Sequence, residues 1–339
     1  MIRDALALGA LSAGFSFLGA AAMRRYSGRL GFTDEPNERS LHSIPTPRAG
    51  GIGFAIAVPL LTALGLTRVN GAIAPPEAAL LAAAVLLALV GLADDRWRLP
   101  AGVRLAAQVA AAVAVMAAGG TIQRLAAPGL FDIDLGSWAG PITFVWLVAL
   151  TNIYNFMDGI DGLAAVQAIV AAAALAVVSS CLGHDDLALG YLILCAGAAG
   201  FLILNRPPAR VFMGDVGSTF LGFTLAGWAA LGTVRSPSVP VLASIAVLSP
   251  FLFDSLITLL RRVLRGERVS QAHRSHMYQR LVARGWTHGR TTALYGALAA
   301  IAGVLVIATW CFARTSAVFL LAALAVPIVI PVILKRRGS

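Results

Sequence analysis

Thr151-Asn152-Ile153-Tyr154-Asn155-Phe156-Met157-Asp158-Gly159-Ile160-Asp161-Gly162-Leu163 closes an apolar run that begins near residue 141. It sets two amides and two carboxylates at the end of a segment of membrane-spanning character. Asn152, Asn155, Asp158 and Asp161 recur every three residues, so on one continuous helix each would drift by about 60° from the last. One helix cannot aim all four at one ligand. Gly159 and Gly162 permit a break, leaving the amides on the last helical turn while the carboxylates fold back from a tight loop. The acceptor oxygens then converge on one volume, which suits a hard divalent cation such as Mg²⁺, with Mn²⁺ as a substitute. The competing reading makes the asparagines interhelical hydrogen-bond donors and Asp158–Gly162 an ordinary exposed turn. Ionisable residues at membrane depth are costly and generally functional, and here the polar groups come together, which favours the first reading.

Working outward, the 339 residues are 58% hydrophobic and 12% charged, with a mean hydropathy of +0.82. That composition excludes an ordinary soluble domain and predicts an all-α polytopic membrane protein, one integral-membrane domain over 1–339. Eleven apolar segments are read at 5–23, 50–67, 78–93, 103–119, 141–157, 163–182, 187–204, 217–234, 239–260, 292–312 and 316–334. Arg24, Arg25 and Arg29 follow the first segment, whereas Arg3 before it is offset by Asp4, so the N-terminus is expected on the periplasmic side and the C-terminus in the cytoplasm. With that orientation, all of the 26 basic residues except Arg3, Arg68, Arg124, Arg235 and Arg314 fall on the cytoplasmic side. The net charge of +10 is therefore topological, and no nucleic acid is expected as a partner. In the longest outer loop, 120–140, Phe131 to Leu135 alternate with period two, the pattern of a hairpin or an interfacial strand. Cys181, Cys195 and Cys311 lie in apolar segments and imply packing, not a disulfide framework.

Sorted by side, Asp34, His42, Arg48, Asp94, Asp95, Asn152, Asn155, Asp158, Asp161, Asn205, Arg210, Asp215, His273, Arg274 and His276 share the cytoplasmic face. Asp94-Asp95 ends an apolar helix, where two carboxylates need a cation or arginines as partners, although an acidic helix end by itself is common. In Asn205 to Ser218, Arg210 offers a bidentate phosphate donor, and Gly214 and Gly217 let backbone amides approach an anion before the next helix. Asp215 suits a metal ligand or a helix cap, and Phe212 a ring that stacks on a base. The loop 261–291 is rich in arginine, mostly as a positive-inside anchor, but His273, Arg274 and His276 form a compact donor set for a pyrophosphate. A transporter of anionic solutes is the main alternative. Transporters tend to keep ionisable groups near the midplane in broken helices, whereas these lie in loops on one side.

Taken together, Asp94-Asp95, Asn152 to Gly162, Phe212-Met213-Gly214-Asp215-Val216-Gly217-Ser218 and His273-Arg274-Ser275-His276 resemble the motifs of the polyprenyl-phosphate N-acetylhexosamine-1-phosphate transferases, over about Asp34 to Arg290. The likeness is greatest to the O-antigen initiating group; the peptidoglycan branch, with a run of histidines at the last motif, is the alternative within the family. The resemblance implies transfer of a sugar 1-phosphate from a UDP-N-acetylhexosamine to undecaprenyl phosphate with Mg²⁺ and release of UMP, in the bacterial inner membrane among its lipids, with a homodimer compatible. By the same resemblance, Asn155 and Asp215 would hold Mg²⁺. Asp94 would bind or deprotonate the lipid phosphate, with Asp95 and Asp158 completing the catalytic carboxylates. Phe212 and Asp161 would hold uracil, and Arg274 and His276 would grip the pyrophosphate, with Arg48, Arg210 and His273 as further substrate contacts.

Overall fold

A computed structural model describes residues 2–35, 44–127, 129–235, 241–267, 274–312 and 317–336. Long apolar runs must satisfy their own backbone groups, and they do so as helices: α1 (Ile2–Leu30), α2 (Ile52–Asn70), α3 (Pro75–Trp97), α4 (Ala101–Ala117), α5 (Ala139–Met157), α6 (Leu163–Cys181), α7 (Asp185–Asn205), α8 (Asp215–Arg235), α9 (Val241–Val247), α10 (Ser249–Leu264), α11 (Met277–Ala283), α12 (His288–Ile307), α13 (Ala317–Ala325) and α14 (Val329–Arg336). Around the outside, Leu60, Val145, Val304 and Val318 are among many large apolar side chains left exposed. Such a surface is stable only in lipid, so the protein is an all-α polytopic membrane protein.

Helix α8 is the axis of the bundle. Every residue from Asp215 to Thr233 is buried, and α3 and α5 pack along it, with α2, α6, α7 and α9 touching it as well. A helix apolar on all sides is the kind that a fold encloses. Because α8 is central, its first residue, Asp215, is fixed with the rigidity of the whole core.

Among the described residues, eight helices are long and apolar enough to span a membrane, or nine if α9 and α10 count as one crossing. Each of the eleven segments read from the sequence contains helix, but α4 is only 17 residues long and α8 is not among those eight. The segment 239–260, expected as one span, is two helices bent by 76°. Pro250 explains the break: it sits in the first turn of α10, where its missing N–H costs nothing, and it could not continue α9. The polar stretch 261–291 likewise contains α11 and the start of α12.

Two small antiparallel hairpins complete the described structure. Arg124–Ala127 (β3) pairs with Phe131–Asp134 (β4), held by an Arg124–Asp132 ion pair at 3.0 Å. All four β4 residues are exposed, so its period-two pattern gives a hairpin without a buried face. Thr33–Asp34 (β1) pairs with Thr46–Pro47 (β2) and carries the following residues toward the N-terminus of α8.

Candidate active site

Three chain segments meet at the start of α8. The Phe212 N–H donates to the Pro47 carbonyl at 2.8 Å, and the Gly50 and Gly51 N–H groups donate to the carbonyls of Phe212 and Met213, both at 2.9 Å. This short ladder lays Arg48 across the helix end. From the side, α3 delivers its adjacent carboxylates. One helical residue step separates Asp94 and Asp95 by about 100°, so they face different partners.

Asp95 faces the helix. Its Oδ1 accepts the Asp215 N–H at 2.8 Å and its Oδ2 the Val216 N–H at 3.1 Å, while Arg48 Nε lies 2.8 Å from Oδ1. Its side chain is fully enclosed. A carboxylate from one helix thus caps the N-terminus of another, satisfying two of its orphan amides and its partial positive charge. Gly214 makes this possible: its φ is +76°, and a Cβ there would lie 2.3 Å from Asp95 Oδ2. Gly91 does the same one turn earlier, where a Cβ would meet the Asp215 carbonyl oxygen at 2.5 Å.

Asp94 and Asp215 face the open side of the cluster. Arg104 Nη1 donates to Asp94 Oδ2 at 3.0 Å and to Asp215 Oδ2 at 3.2 Å, and Arg48 Nη2 donates to Asp215 Oδ1 at 2.8 Å. Asn155 is joined through Ser218, its Nδ2 donating to the hydroxyl at 2.9 Å. Asp158 ends α5, partly buried, and burial, then the neighbouring Asp215, pushes its carboxyl well above the usual range. For Arg48 burial opposes the charge, but Asp95, Asp215, Asp34 and Asp158 overcome it and hold the guanidinium above its ordinary value.

Among the described residues, no three carboxylate, imidazole or thiolate side chains form a ready metal cage. The donor set still fits Mg²⁺, which takes one or two carboxylates and completes its shell with waters and phosphate oxygens. Oxygens of Asp94 and Asp215 already converge on a single point, the Arg104 nitrogen, with the Asn155 amide beside them.

Asp161 fastens a second layer. Its Oδ2 accepts the Ala209 N–H at 3.0 Å and its Oδ1 lies 3.1 Å from His288 Nδ1. Burial would raise its carboxyl, but the His288 and Ala209 hydrogen bonds hold it below the usual range. Asn205 accepts the Gly162 N–H at 3.0 Å and donates to the Val211 carbonyl at 2.9 Å. The turn after α5 is therefore tied to the loop before α8. Beside it, Phe212 is partly buried and Arg210 is exposed.

His276 joins from the far loop, but not as a free donor. It caps α11 and lies with Nδ1 3.3 Å from Asp254 Oδ1, its ring stacked on Tyr278. Asp254, fully buried, accepts the Met277 and Tyr278 N–H groups at 2.8 and 3.0 Å and the Tyr295 hydroxyl. The Tyr278 hydroxyl then donates to the Phe156 carbonyl at 3.1 Å, which holds α11 against the end of α5. Arg274 is exposed and lines a separate arginine-rich cleft. His42 and His273 lie outside the described residues. Asn152 turns away from the carboxylates: its Nδ2 donates to Gln108 Oε1 on α4 at 2.6 Å, so for this residue the interhelical reading holds.

Sequence reasoning passed over Arg104, Asp254 and His288, and included Ser218 only as the last residue of a motif. Arg104 and Asp254 each carried a signal, an ionisable group inside an apolar segment. His288 carried none.

Comparison with known proteins bears on the same residues. Positions 78–233, which include Asp94, Asn155 and Asp215, match the family model of glycosyl transferase family 4. The chain is 31% identical over 322 residues to the decaprenyl-phosphate N-acetylglucosaminephosphotransferase of Mycobacterium tuberculosis, covering 86% of this chain and 79% of that protein. It is 29% identical over 272 residues to the probable undecaprenyl-phosphate N-acetylglucosaminyl 1-phosphate transferase of Bacillus subtilis, covering 78% and 74%. It is 33% identical over 276 residues to the phospho-N-acetylmuramoyl-pentapeptide-transferase of Moorella thermoacetica, covering 76% of this chain and 81% of that protein.

Proposed function

Because the chain belongs to glycosyl transferase family 4, we propose that it transfers an N-acetylhexosamine 1-phosphate, N-acetylglucosamine 1-phosphate first among the candidates, from a UDP-sugar to undecaprenyl phosphate and releases UMP. The observation that carries this is the convergence of Asp94 and Asp215 beside Asn155, a set suited to a cation on a diphosphate, with two arginines in place for phosphate charge. The names of the relatives support the sugar and the lipid acceptor. The product would be the first lipid-linked intermediate of O-antigen or another envelope polysaccharide. We propose further an inner-membrane protein with eleven crossings, its N-terminus periplasmic and its site cytoplasmic, which the distribution of basic residues supports.

In this reading an oxygen of the lipid phosphate attacks the β-phosphorus of the donor, and the bond from that phosphorus to the bridging oxygen breaks as UMP leaves. Phosphoryl transfer of this kind needs positioning and charge neutralisation more than covalent help. Asp94, on the open side, orients the lipid phosphate and accepts its remaining proton. Arg48 and Arg104 take up phosphate charge, Asp95 holds α8 and thereby Asp215, and Asp158 is the third carboxylate at the site. Asp215 and Asn155 would hold Mg²⁺, which would supply charge neutralisation on the diphosphate. Phe212 and Asp161 flank the place for uracil.

Purified protein given UDP-N-acetylglucosamine and undecaprenyl phosphate should release UMP and form a lipid-linked sugar. UMP release without any lipid, with a labelled sugar phosphate trapped on the protein, would overturn direct displacement. Turnover only with a UDP-N-acetylmuramoyl-pentapeptide would move the chain to the peptidoglycan branch, whose representative stands among its relatives.

A further inference from the structure

Helix α12 begins at His288, placed there by a cap in which the Thr287 hydroxyl accepts the Arg290 N–H at 3.2 Å. His288 and Thr292 are four residues apart and so share one face of the helix. That face closes on a single residue of another segment. His288 Nδ1 lies 3.1 Å from Asp161 Oδ1, and the Thr292 hydroxyl donates to the Asp161 carbonyl at 2.8 Å. Helix α12 thus holds Asp161, in the turn between α5 and α6, by its side chain and its backbone together.

From the other side, the Ala209 N–H donates to Asp161 Oδ2 at 3.0 Å. A carboxylate offers about four acceptor sites, so these bonds set its plane and still leave capacity for a ligand. Burial opposes the charge, but the His288 and Ala209 hydrogen bonds hold the carboxyl below its ordinary range, and an ionised carboxylate accepts without donating. The Asp161 side chain is 12% exposed and that of His288 19%, so the pair forms part of a wall and is not sealed in the core. A carboxylate fixed in this way receives a ligand N–H and repels a ligand lone pair. Uracil presents an N–H at its N3, where cytosine presents a bare nitrogen with its amino group one position along.

We propose that His288, supported by Thr292, is a positioning residue through which Asp161 selects uracil over cytosine in the donor nucleotide. This rests on the reading that sets Asp161 beside the uracil, and it goes further in giving the selection to α12. With His288 in place, Asp161 Oδ1 is tied and the carboxylate keeps one orientation toward the base. Without it, the carboxylate can turn about its remaining bond to Ala209 and accept from the cytosine amino group instead. His288 and Thr292 stand apart from Asp94, Asp95 and Asp215, whose partners are Arg48 and Arg104, so base selection can change while the phosphate side is left intact.

The test is calorimetric binding of UDP and of CDP to the full-length protein in detergent with Mg²⁺ present, a readout that needs no turnover. The wild type should bind UDP more tightly than CDP. His288→Leu should weaken UDP by about tenfold, on the scale of one hydrogen bond to a charged group, with no loss of CDP affinity, so the preference narrows by the same factor. Retained CDP binding also shows that the variant is folded. His288→Asn, which keeps an N–H donor, should recover part of the preference. Equal loss of UDP and CDP in His288→Leu would make the residue merely structural and overturn the proposal. An undiminished preference in that variant would overturn it too, while leaving Asp161 beside the base. A wild type that binds the two nucleotides equally would remove Asp161 from the base, and the underlying reading would fall with the proposal.

Discussion

Replacing Asp95 separates a carboxylate that builds the site from one that works in it. In Asp95→Ala, the Asp215 and Val216 amides lose their acceptors and Arg48 loses one of two carboxylate partners, all around a side chain that is fully enclosed. Loss of an N-cap alone costs about 1–2 kcal/mol, and breaking a buried charge pair from one side costs about 3–5 kcal/mol. Arg48 keeps Asp215 and is partly exposed, so the lower end applies and about 3 kcal/mol is expected. Asp94 makes a contrasting case, because its charge contact is with Arg104, whose side chain is 38% exposed. Asp94→Asn should therefore cost less than about 1 kcal/mol. The assay is a pair of measurements on each purified variant, the thermal unfolding midpoint in one detergent and the rate of UMP release. Asp95→Ala should lower both. Asp94→Asn should keep the midpoint and lose about 10²- to 10⁴-fold in rate, the range for removing a proton acceptor. An unshifted midpoint in Asp95→Ala would refute the capping argument. A midpoint that falls equally in both variants would refute the division of labour.

Asp215→Asn and Asn155→Ala should abolish turnover in protein that remains folded, with raised Mg²⁺ rescuing only part of it; undiminished wild-type activity in a rigorously chelated assay would count against the metal. Gly214→Ala should destabilise by more than about 1 kcal/mol and reduce activity, since a φ of +76° and a contact of 2.3 Å with Asp95 both oppose a side chain; a fully stable variant, read from its unfolding midpoint, would contradict that geometry. Asp161→Ala, which frees the Ala209 amide and His288, should cost about 2 kcal/mol and raise the KM for the UDP-sugar more than it lowers kcat; a change in kcat alone would remove Asp161 from the uracil side. In protein lacking its native cysteines, an impermeant thiol reagent added to intact cells should label Ser137→Cys and not Arg206→Cys, and the reverse pattern would turn the protein over in the membrane.

What the sequence disclosed and what it withheld divide along a physical line. Segments 141–157 and 163–182 lie within two residues of α5 and α6, because an apolar run in lipid has no stable choice but to close its own hydrogen bonds. The bend at Leu248 was also written in the chain as Pro250, but an unbroken hydropathy outweighed it. Pairings across the chain were not legible at all. Asp95 with the amide of Asp215, Asp161 with Ala209 and His288, and Asp254 with Met277 and Tyr278 depend on which helix ends meet, and no local spacing records that. For the same reason the tandem Asp94-Asp95 read as one feature, although its two members serve different partners.

Charge balance carries the metal argument further than the converging oxygens do. Asp94, Asp95, Asp158 and Asp215 gather around two arginines, and the raised carboxyl of Asp158 is the mark of that excess after burial is counted. A donor diphosphate and a lipid phosphate would each add negative charge to a place already short of positive charge. Arg48 and Arg104 can turn to the phosphates only by leaving the carboxylates, and carboxylates left alone at a buried helix end repel one another. In the proposed reading Asp215 and Asn155 would hold a divalent cation, whose charge would offset the carboxylates and the diphosphate together and leave Arg48 and Arg104 free to turn to the phosphates. Substrate binding should then depend on the metal as strongly as turnover does.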